Sequence, residues 1–130
     1  MRILYIEDNE ANFTLVRKVL EASGDTTVER APTGEEGLAW LAKHRPDLVL
    51  LDLDLPGISG FEVAAQIADD PKLAGIPVVA ISASVMKRER DQALEVGCTA
   101  FIEKPFDIGR LRSIVRAAVD GTPSGDAIDP

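Results

Sequence analysis

The chain is predicted to fold as an α/β protein of the flavodoxin-like (βα)5 type, a doubly wound sheet of five parallel strands in the order 2-1-3-4-5 with helices on both faces. Two observations carry that expectation. Apolar runs of four to six residues alternate with segments of helical period, the pattern of a parallel sheet covered on both sides. Several of those runs also end in residues suited to phosphate chemistry: Glu7-Asp8, Asp52, Ser82 and Lys104. Parallel α/β sheets place ligands at the carboxyl ends of their strands, where the strand order reverses.

The strand runs are residues 2–7, 26–31, 47–52, 77–82 and 99–103. Three are nearly continuous in Val, Ile and Leu and the last is carried by Ala100-Phe101-Ile102, as strands buried on both faces require. The second, Thr26-Thr27-Val28-Glu29-Arg30-Ala31, is polar and belongs at an edge. A helix follows each strand. The first sets Phe13, Val16, Val19 and Leu20 on one face and stops at Gly24. The second opens with Thr33-Gly34-Glu35-Glu36, a Ser/Thr-x-x-Glu capping box, and is expected to bury Leu38, Leu41 and Ala42. The third runs from about Phe61 to Asp69 with Val63, Ala64 and Ile67 inward, and Pro71 marks its end. The fourth spans about Met86 to Glu95 and ends at Gly97; the fifth opens at the N-cap Asp107 and repeats apolar residues at Leu111, Ile114, Val115 and Ala118. Residues 1–119 are expected to form one domain. Residues 120–130, rich in Gly, Pro, Ser and Asp without periodicity, read as a disordered acidic tail.

Composition narrows the function classes. Fourteen Lys and Arg against 22 Asp and Glu give a net charge of −8, which disfavours non-specific binding to nucleic acid or to an anionic membrane. The run Lys87-Arg88-Glu89-Arg90 is the one basic candidate, and it reads as a solvated helix face. No apolar run approaches the ~20 residues of a membrane span, and Met1-Arg2-Ile3 enters a strand pattern without a signal segment. A cytoplasmic protein is expected. The single cysteine, Cys98, excludes an internal disulfide and a cysteine-based zinc site, and reads as a small buried thiol. His44, before Arg45-Pro46 at a helix end, is expected to face solvent or the helix dipole, and Trp40 to be a partly buried packing residue.

In the order 2-1-3-4-5 the first and third strands are neighbours, so Glu7, Asp8 and Asp52 meet at the switch point. Hard divalent cations such as Mg²⁺ take oxygen ligands, commonly one or two carboxylates with waters and phosphate oxygens. Asp8 and Asp52 are expected to ligate directly, Glu7 through water, and the main-chain carbonyl of Asp54 to add a ligand; Mn²⁺ is an alternative ion. Without metal such a cluster is unfavourable, because like charges a few Å apart raise one another's pKa, so a purely structural role offers no gain. Asp52, at the end of a buried strand, is placed as a nucleophile that can form an aspartyl phosphate. Lys104 and Ser82 are placed to bind phosphoryl oxygens. Pro56 and Gly57 in the following segment turn the chain away and keep Asp52 accessible.

These residues resemble a response-regulator receiver domain over residues 1 to about 119. The likeness rests on Tyr5-Ile6-Glu7-Asp8-Asn9, Leu51-Asp52-Leu53-Asp54-Leu55-Pro56 with Gly60, Ile76-Pro77-Val78-Val79-Ala80-Ile81-Ser82-Ala83, and Phe101-Ile102-Glu103-Lys104-Pro105. Among receivers the chain is most similar to single-domain, DivK-like regulators and to hybrid-kinase receivers, which share Glu-Asp-Asn-Glu-x-Asn at residues 7–12. The resemblance implies that Asp52 accepts a phosphoryl group from a histidine of a kinase or phosphotransfer protein. It also implies that Ser82 and Phe101 form a conformational switch, and that the Lys104-Pro105 bond is cis. Glu7 stands where many receivers have Asp, Ser82 where many have Thr, and Leu55 where Met is frequent. Asp54 is an acid where amides or apolar residues are common, which bears on the lifetime of the phosphoryl group.

The reading of a different class is a haloacid-dehalogenase-like phosphatase using Asp52 and Asp54. Against it, Leu55-Pro56 replaces the small polar continuation of that motif, and neither a late acidic motif nor a cap insertion is present. A helix-turn-helix cannot fit in the short acidic segment after the last helix. No direct DNA binding and no membrane association are expected, and the protein should not be a turnover enzyme. Output then passes through protein contacts, on the face formed by the fourth helix, fifth strand and fifth helix, including Lys87, Arg88 and Phe101.

Overall fold

The computed structural model describes residues 1–83 and 86–121. Ten elements alternate along it: β1 (Arg2–Ile6), α1 (Glu10–Glu21), β2 (Thr27–Ala31), α2 (Gly34–Leu41), β3 (Leu48–Asp52), α3 (Gly60–Asp69), β4 (Val78–Ser82), α4 (Lys87–Glu95), β5 (Ala100–Glu103) and α5 (Ile108–Asp120). The strands form one parallel sheet in the order β2-β1-β3-β4-β5. Each expected strand lies within one residue of its observed bounds, and the polar strand is at the edge.

The two-residue period of the strands divides the core into two layers. Ile3, Tyr5, Leu48, Leu50, Val79, Ile81 and Ile102 pack against Phe13, Val16, Val19 and Leu20 of α1 and Leu111, Ile114 and Val115 of α5. Leu4, Ile6, Val49, Leu51, Ala80 and Phe101 form the opposite layer with Val63, Ala64 and Ile67 of α3, Leu41 of α2 and Ala93 of α4. Residues on one strand therefore alternate between the α1/α5 layer and the α2/α3/α4 layer, which is why these runs are apolar throughout.

Helix starts follow side-chain caps: the side-chain oxygens of Asn9, Thr33, Ser59 and Asp107 accept from the backbone N–H of Asn12, Glu36, Glu62 and Arg110. In α2 the expected burial of Ala42 is not found. It follows the last turn and is exposed, Leu38 is half-buried, and the inward positions are Gly34, Gly37 and Leu41. Glycine there lets the helix lie close to the sheet. Helix α5 extends through Asp120 and is capped by Gly121 at φ 73°, so it takes in the first residue read as tail; residues 122–130, where the rest of that tail falls, lie outside the described residues. Trp40 is half-buried and stacks on the exposed His44 ring at 4.7 Å. Cys98 is buried, and burial pushes its thiol up to about 12. No helix among the described residues is long and apolar enough to cross a membrane.

Candidate functional site

Because all five strands run the same way, their carboxyl ends open on one edge. Glu7 and Asp8 follow β1, Asp52 ends β3, Ser82 ends β4 and Lys104 follows β5. Strand β1 pairs with β3 on one side and β2 on the other, so the first two groups meet at the reversal of strand order. Glu7, Asp8 and Asp52 each bring a carboxylate oxygen within 4.8 Å of the others. Glu7, Asp52 and Ser82 are the buried polar or charged residues of the described chain, while Asp8 is exposed.

Each buried carboxylate is held by donors. Lys104 Nζ donates to Asp52 Oδ2 at 3.0 Å, and the Asp54 N–H donates to Asp52 Oδ1 at 2.8 Å. Glu7 Oε2 accepts the Tyr5 hydroxyl at 3.2 Å, and Oε1 accepts both the Asn9 N–H and Asn12 Nδ2 at 3.2 Å. Burial first, then the hydrogen-bonding contact and charge of Asp52, raise the Glu7 carboxyl to about 7, against the opposing pull of Asn12 and Lys104. Tyr5 moves upward through burial and the charges of Glu7 and Asp52, so it stays a donor. Desolvation lowers Lys104, but bonding to Asp52 and the charges of Asp52, Glu7 and Asp54 outweigh it and the net shift is upward.

Three carboxyl groups opposed by one ammonium make this partly buried place acidic. The donor set is all oxygen, the set a hard divalent cation takes. With its oxygens occupied by three donors, Glu7 is fixed in place and suited to meeting an ion through water, whereas exposed Asp8 and strand-end Asp52 are the direct ligands the cluster can offer. Asp54 is outside the carboxylate cluster. Its side chain turns toward the end of β4, where Oδ2 accepts the Ala83 N–H at 3.0 Å and Oδ1 the Ser82 hydroxyl at 3.4 Å.

Backbone fit completes the edge. A Cβ on Gly60 would lie 2.6 Å from Leu53 Cα and 2.8 Å from the Asp52 carbonyl oxygen. Glycine at the start of α3 thus lets that helix seat directly under the Asp52 loop. The loop turns at Gly57, φ 76°. The Lys104–Pro105 bond is cis, as the resemblance implied. Ala80 pairs in register with Phe101, and by alternation Ser82, Ala80 and Phe101 share the α3/α4 face. Phe101 is buried there, with the Arg90 guanidinium 5.5 Å from its ring centre. Within the basic run, Lys87 pairs with Asp91 at 3.3 Å on a largely solvated face.

The strand ends thus bring together the sequence-identified groups. Two contributors had no role in the sequence reading. Arg30, on the edge strand, donates through Nε to the Glu7 carbonyl at 3.2 Å and through Nη2 to the Asp8 carbonyl at 2.9 Å, with Phe13 under its guanidinium at 5.8 Å. Tyr5 lies inside an apolar run, and a hydroxyl two residues before an acid on a strand was the available signal, since i and i+2 share a face.

Comparison with known proteins agrees with this geometry. The family described as response regulator receiver domain matches residues 3–116. The polar-differentiation response regulator DivK of Brucella anthropi is 40% identical over 115 residues, covering 88% of this chain and 93% of that protein. A putative response regulator from Chloroflexus aurantiacus superposes with a TM-score of 0.87 at 26% identity, covering 92% of this chain and 97% of the other. The receiver domain of a sensor histidine kinase from Pseudomonas aeruginosa, solved with a magnesium ion coordinated in its active site cleft, gives 0.83 at 25% identity, with 92% and 97% covered.

Proposed function

The chain belongs to the response regulator receiver family of two-component signalling, and on that premise we propose that Asp52 is the residue that takes the phosphoryl group. The observation that carries the assignment is a buried carboxylate at a strand end with Lys104 on one oxygen and two further acids beside it. An Asp52 oxygen attacks phosphorus, a P–O bond forms and the P–N bond of the phosphohistidine breaks. The P–N electron pair remains on the donor imidazole, which leaves neutral when its other nitrogen carries a proton. When bound, Mg²⁺, or Mn²⁺ with the same preference for oxygen, neutralises charge developing on the phosphoryl oxygens. Glu7, Asp8, Asp52 and the Asp54 carbonyl would hold it. Lys104 moves with the phosphoryl group by binding one of its oxygens, and the Ser82 hydroxyl binds another.

Once that hydroxyl moves toward the phosphoryl group, space opens beside Ala80 on the face it shares with Phe101. Filling of that space by the Phe101 ring would couple the bond to the surface of α4, β5 and α5. A histidine kinase or histidine phosphotransfer protein supplies the phosphoryl group, and a protein effector reads that surface. We place the protein in the cytoplasm as a signalling component that is not a turnover enzyme and that promotes only its own phosphorylation and slow dephosphorylation. The phosphatase alternative draws no support from the family match, and the Asp54 carboxylate is engaged by Ala83 and Ser82 rather than facing Asp52 as an acid–base partner.

The test is acetyl phosphate with Mg²⁺, read by intact mass. Wild type should gain one phosphoryl group and Asp52→Asn none. Labelling that persists in Asp52→Asn and disappears in Asp54→Asn would move the nucleophile to Asp54 and revive the phosphatase reading. Ser82→Ala should accept the group yet leave the amides of α4 and β5 unmoved in NMR spectra; equal movement in that variant would refute the switch.

A further inference from the structure

The Asp54 carboxylate occupies two donors at the end of β4, the strand beside the one that Asp52 ends. The Ala83 N–H donates to Oδ2 at 3.0 Å, an ordinary amide bond, and the Ser82 hydroxyl to Oδ1 at 3.4 Å, long for an O–H donor. At the same time the Asp54 N–H donates to Asp52 Oδ1 at 2.8 Å. One residue therefore holds an oxygen of the nucleophile through its main chain and the neighbouring strand end through its side chain. The side-chain bonds tie the loop after β3 to β4 across 28 and 29 residues of sequence. Among the described residues, no cation other than Lys104 is within salt-bridge distance of any of the site's carboxylates, and Lys104 is engaged by Asp52.

We infer that Asp54 is an internal anion standing in for phosphoryl oxygens, and that phosphorylation of Asp52 must displace it from Ser82 and Ala83. This rests on the assignment of Asp52 as acceptor and Ser82 as a donor to the phosphoryl group. A carboxylate and a phosphoryl group cannot share two neighbouring donors without close like-charge contact. The donors favour the group with more charge and better reach, so the long Ser82 bond yields first and the Ala83 bond second. Asp54 is exposed, and its carboxylate can turn outward into water without being buried unpaired. Its bonds in the unmodified protein are lost on modification and subtract from whatever the phosphoryl group gains there. A ligand shifts such an equilibrium only by its differential affinity for the two arrangements. Asp54 thereby sets how far modification of Asp52 moves the switch.

The experiment is a beryllofluoride titration at saturating Mg²⁺, following the Ala83 amide by ¹H–¹⁵N NMR in the whole chain. In wild type that amide should leave its carboxylate-bonded position, and Asp52→Asn should give no saturable response. Asp54→Ala should bind beryllofluoride about three- to tenfold more tightly, the size of one charge-assisted bond discounted for exposure. Asp54→Asn, which keeps an acceptor and drops the charge, should fall between. The Ala83 resonance should differ among the three proteins when free and coincide when bound. Equal or weaker binding by Asp54→Ala, or an Ala83 amide unmoved in saturated wild type, would overturn the displacement while leaving Asp52 as acceptor intact. A wild-type response that survives in Asp52→Asn would instead sink the acceptor assignment, and the displacement with it.

Discussion

The two edges of one sheet are built to opposite ends. At the amino edge, charged groups are matched to backbone and to an aromatic ring near solvent. Arg45 donates to the carbonyls of Lys72 and Ala74, Asp47 accepts the Arg2 N–H at 2.8 Å, and the Arg2 guanidinium sits 5.1 Å from the centre of Trp40. At the carboxyl edge, Glu7, Asp52 and Ser82 are buried, and carboxylates outnumber the single ammonium of Lys104. Strand packing is equally apolar at both ends, so hydrophobic burial does not distinguish them. What differs is tolerance of uncompensated charge, which the carboxyl edge shows and the amino edge does not.

If the contrast is sound, the carboxyl edge can lose charge without losing stability. The largest expected effect is on chemistry: Asp52→Asn should lower phosphoryl acceptance by at least about 10²-fold, since the proposed nucleophile is gone. Its unfolding free energy should stay within about 1 kcal/mol of wild type or rise, because repulsion with Glu7 is relieved while Lys104, partly exposed, keeps solvent. A loss of several kcal/mol in denaturant unfolding would place Asp52 among the structural groups instead.

Gly60 tests the same edge through its backbone. An alanine methyl there would meet main-chain atoms of Leu53 and Asp52 at 2.6–2.8 Å, which no rotamer change relieves. Gly60→Ala should cost about 2–3 kcal/mol and also slow phosphorylation, because the Asp52 loop has to shift. Normal stability and normal labelling in that variant would mean that the seat of α3 is adjustable.

Most of this is legible in the sequence, for identifiable reasons. Long Val/Ile/Leu runs, glycine stops and caps such as Thr33 and Asp107 are local signals, and β topology follows once all strands are read as parallel. Residues at strand ends inherit their position from that topology, which is how Glu7, Asp8, Asp52, Ser82 and Lys104 were grouped. Ala42 was misjudged because helical period does not say where a helix stops; beyond the last turn of α2 the repeat no longer points at the sheet. Arg30 and the turn of the Asp54 side chain toward β4 depend on distances between segments far apart in sequence, and no local pattern encodes them.

Acid titration should separate the edges next. Glu7 is raised from an ordinary carboxylate value of 4.5 to about 7, chiefly by burial and by Asp52. Its folded form therefore binds the proton more tightly than the unfolded chain. The resulting stability is fully present below about pH 4.5 and is lost as pH rises through about 7. In chelator-treated protein, the contribution of this group should fall by about 3 kcal/mol across that window. Glu7→Gln, which keeps acceptor and size, should flatten the slope, and saturating Mg²⁺ should restore stability most at the alkaline end. A profile that is the same in Glu7→Gln and wild type would show that folding does not shift the Glu7 carboxyl.

The sharpest comparison uses two arginines doing one job at opposite edges. Arg45 donates to two carbonyls of the loop before β4, and Arg30 to the carbonyls of Glu7 and Asp8. Both guanidiniums bridge consecutive or near-consecutive carbonyls, which a lysine with one nitrogen cannot reproduce. Each alanine variant should therefore lose a similar, modest stability of about 1 kcal/mol. Only Arg30 holds the segment that presents Asp8, so only Arg30→Ala should also weaken Mg²⁺ binding, by about three- to tenfold in a fluorescence or NMR titration, with Arg30→Lys recovering little. There is an opposing electrostatic effect, since removing a cation near an acidic cluster favours metal. It is small because the guanidinium faces carbonyl oxygens of the acid pair rather than their carboxylates. If Mg²⁺ affinity rose in Arg30→Ala, charge would outweigh positioning at this edge, and Arg30 would be a modulator of the cluster rather than its brace. If Arg45→Ala changed it as much as Arg30→Ala, the two edges would be coupled through the sheet and the division between them would fail.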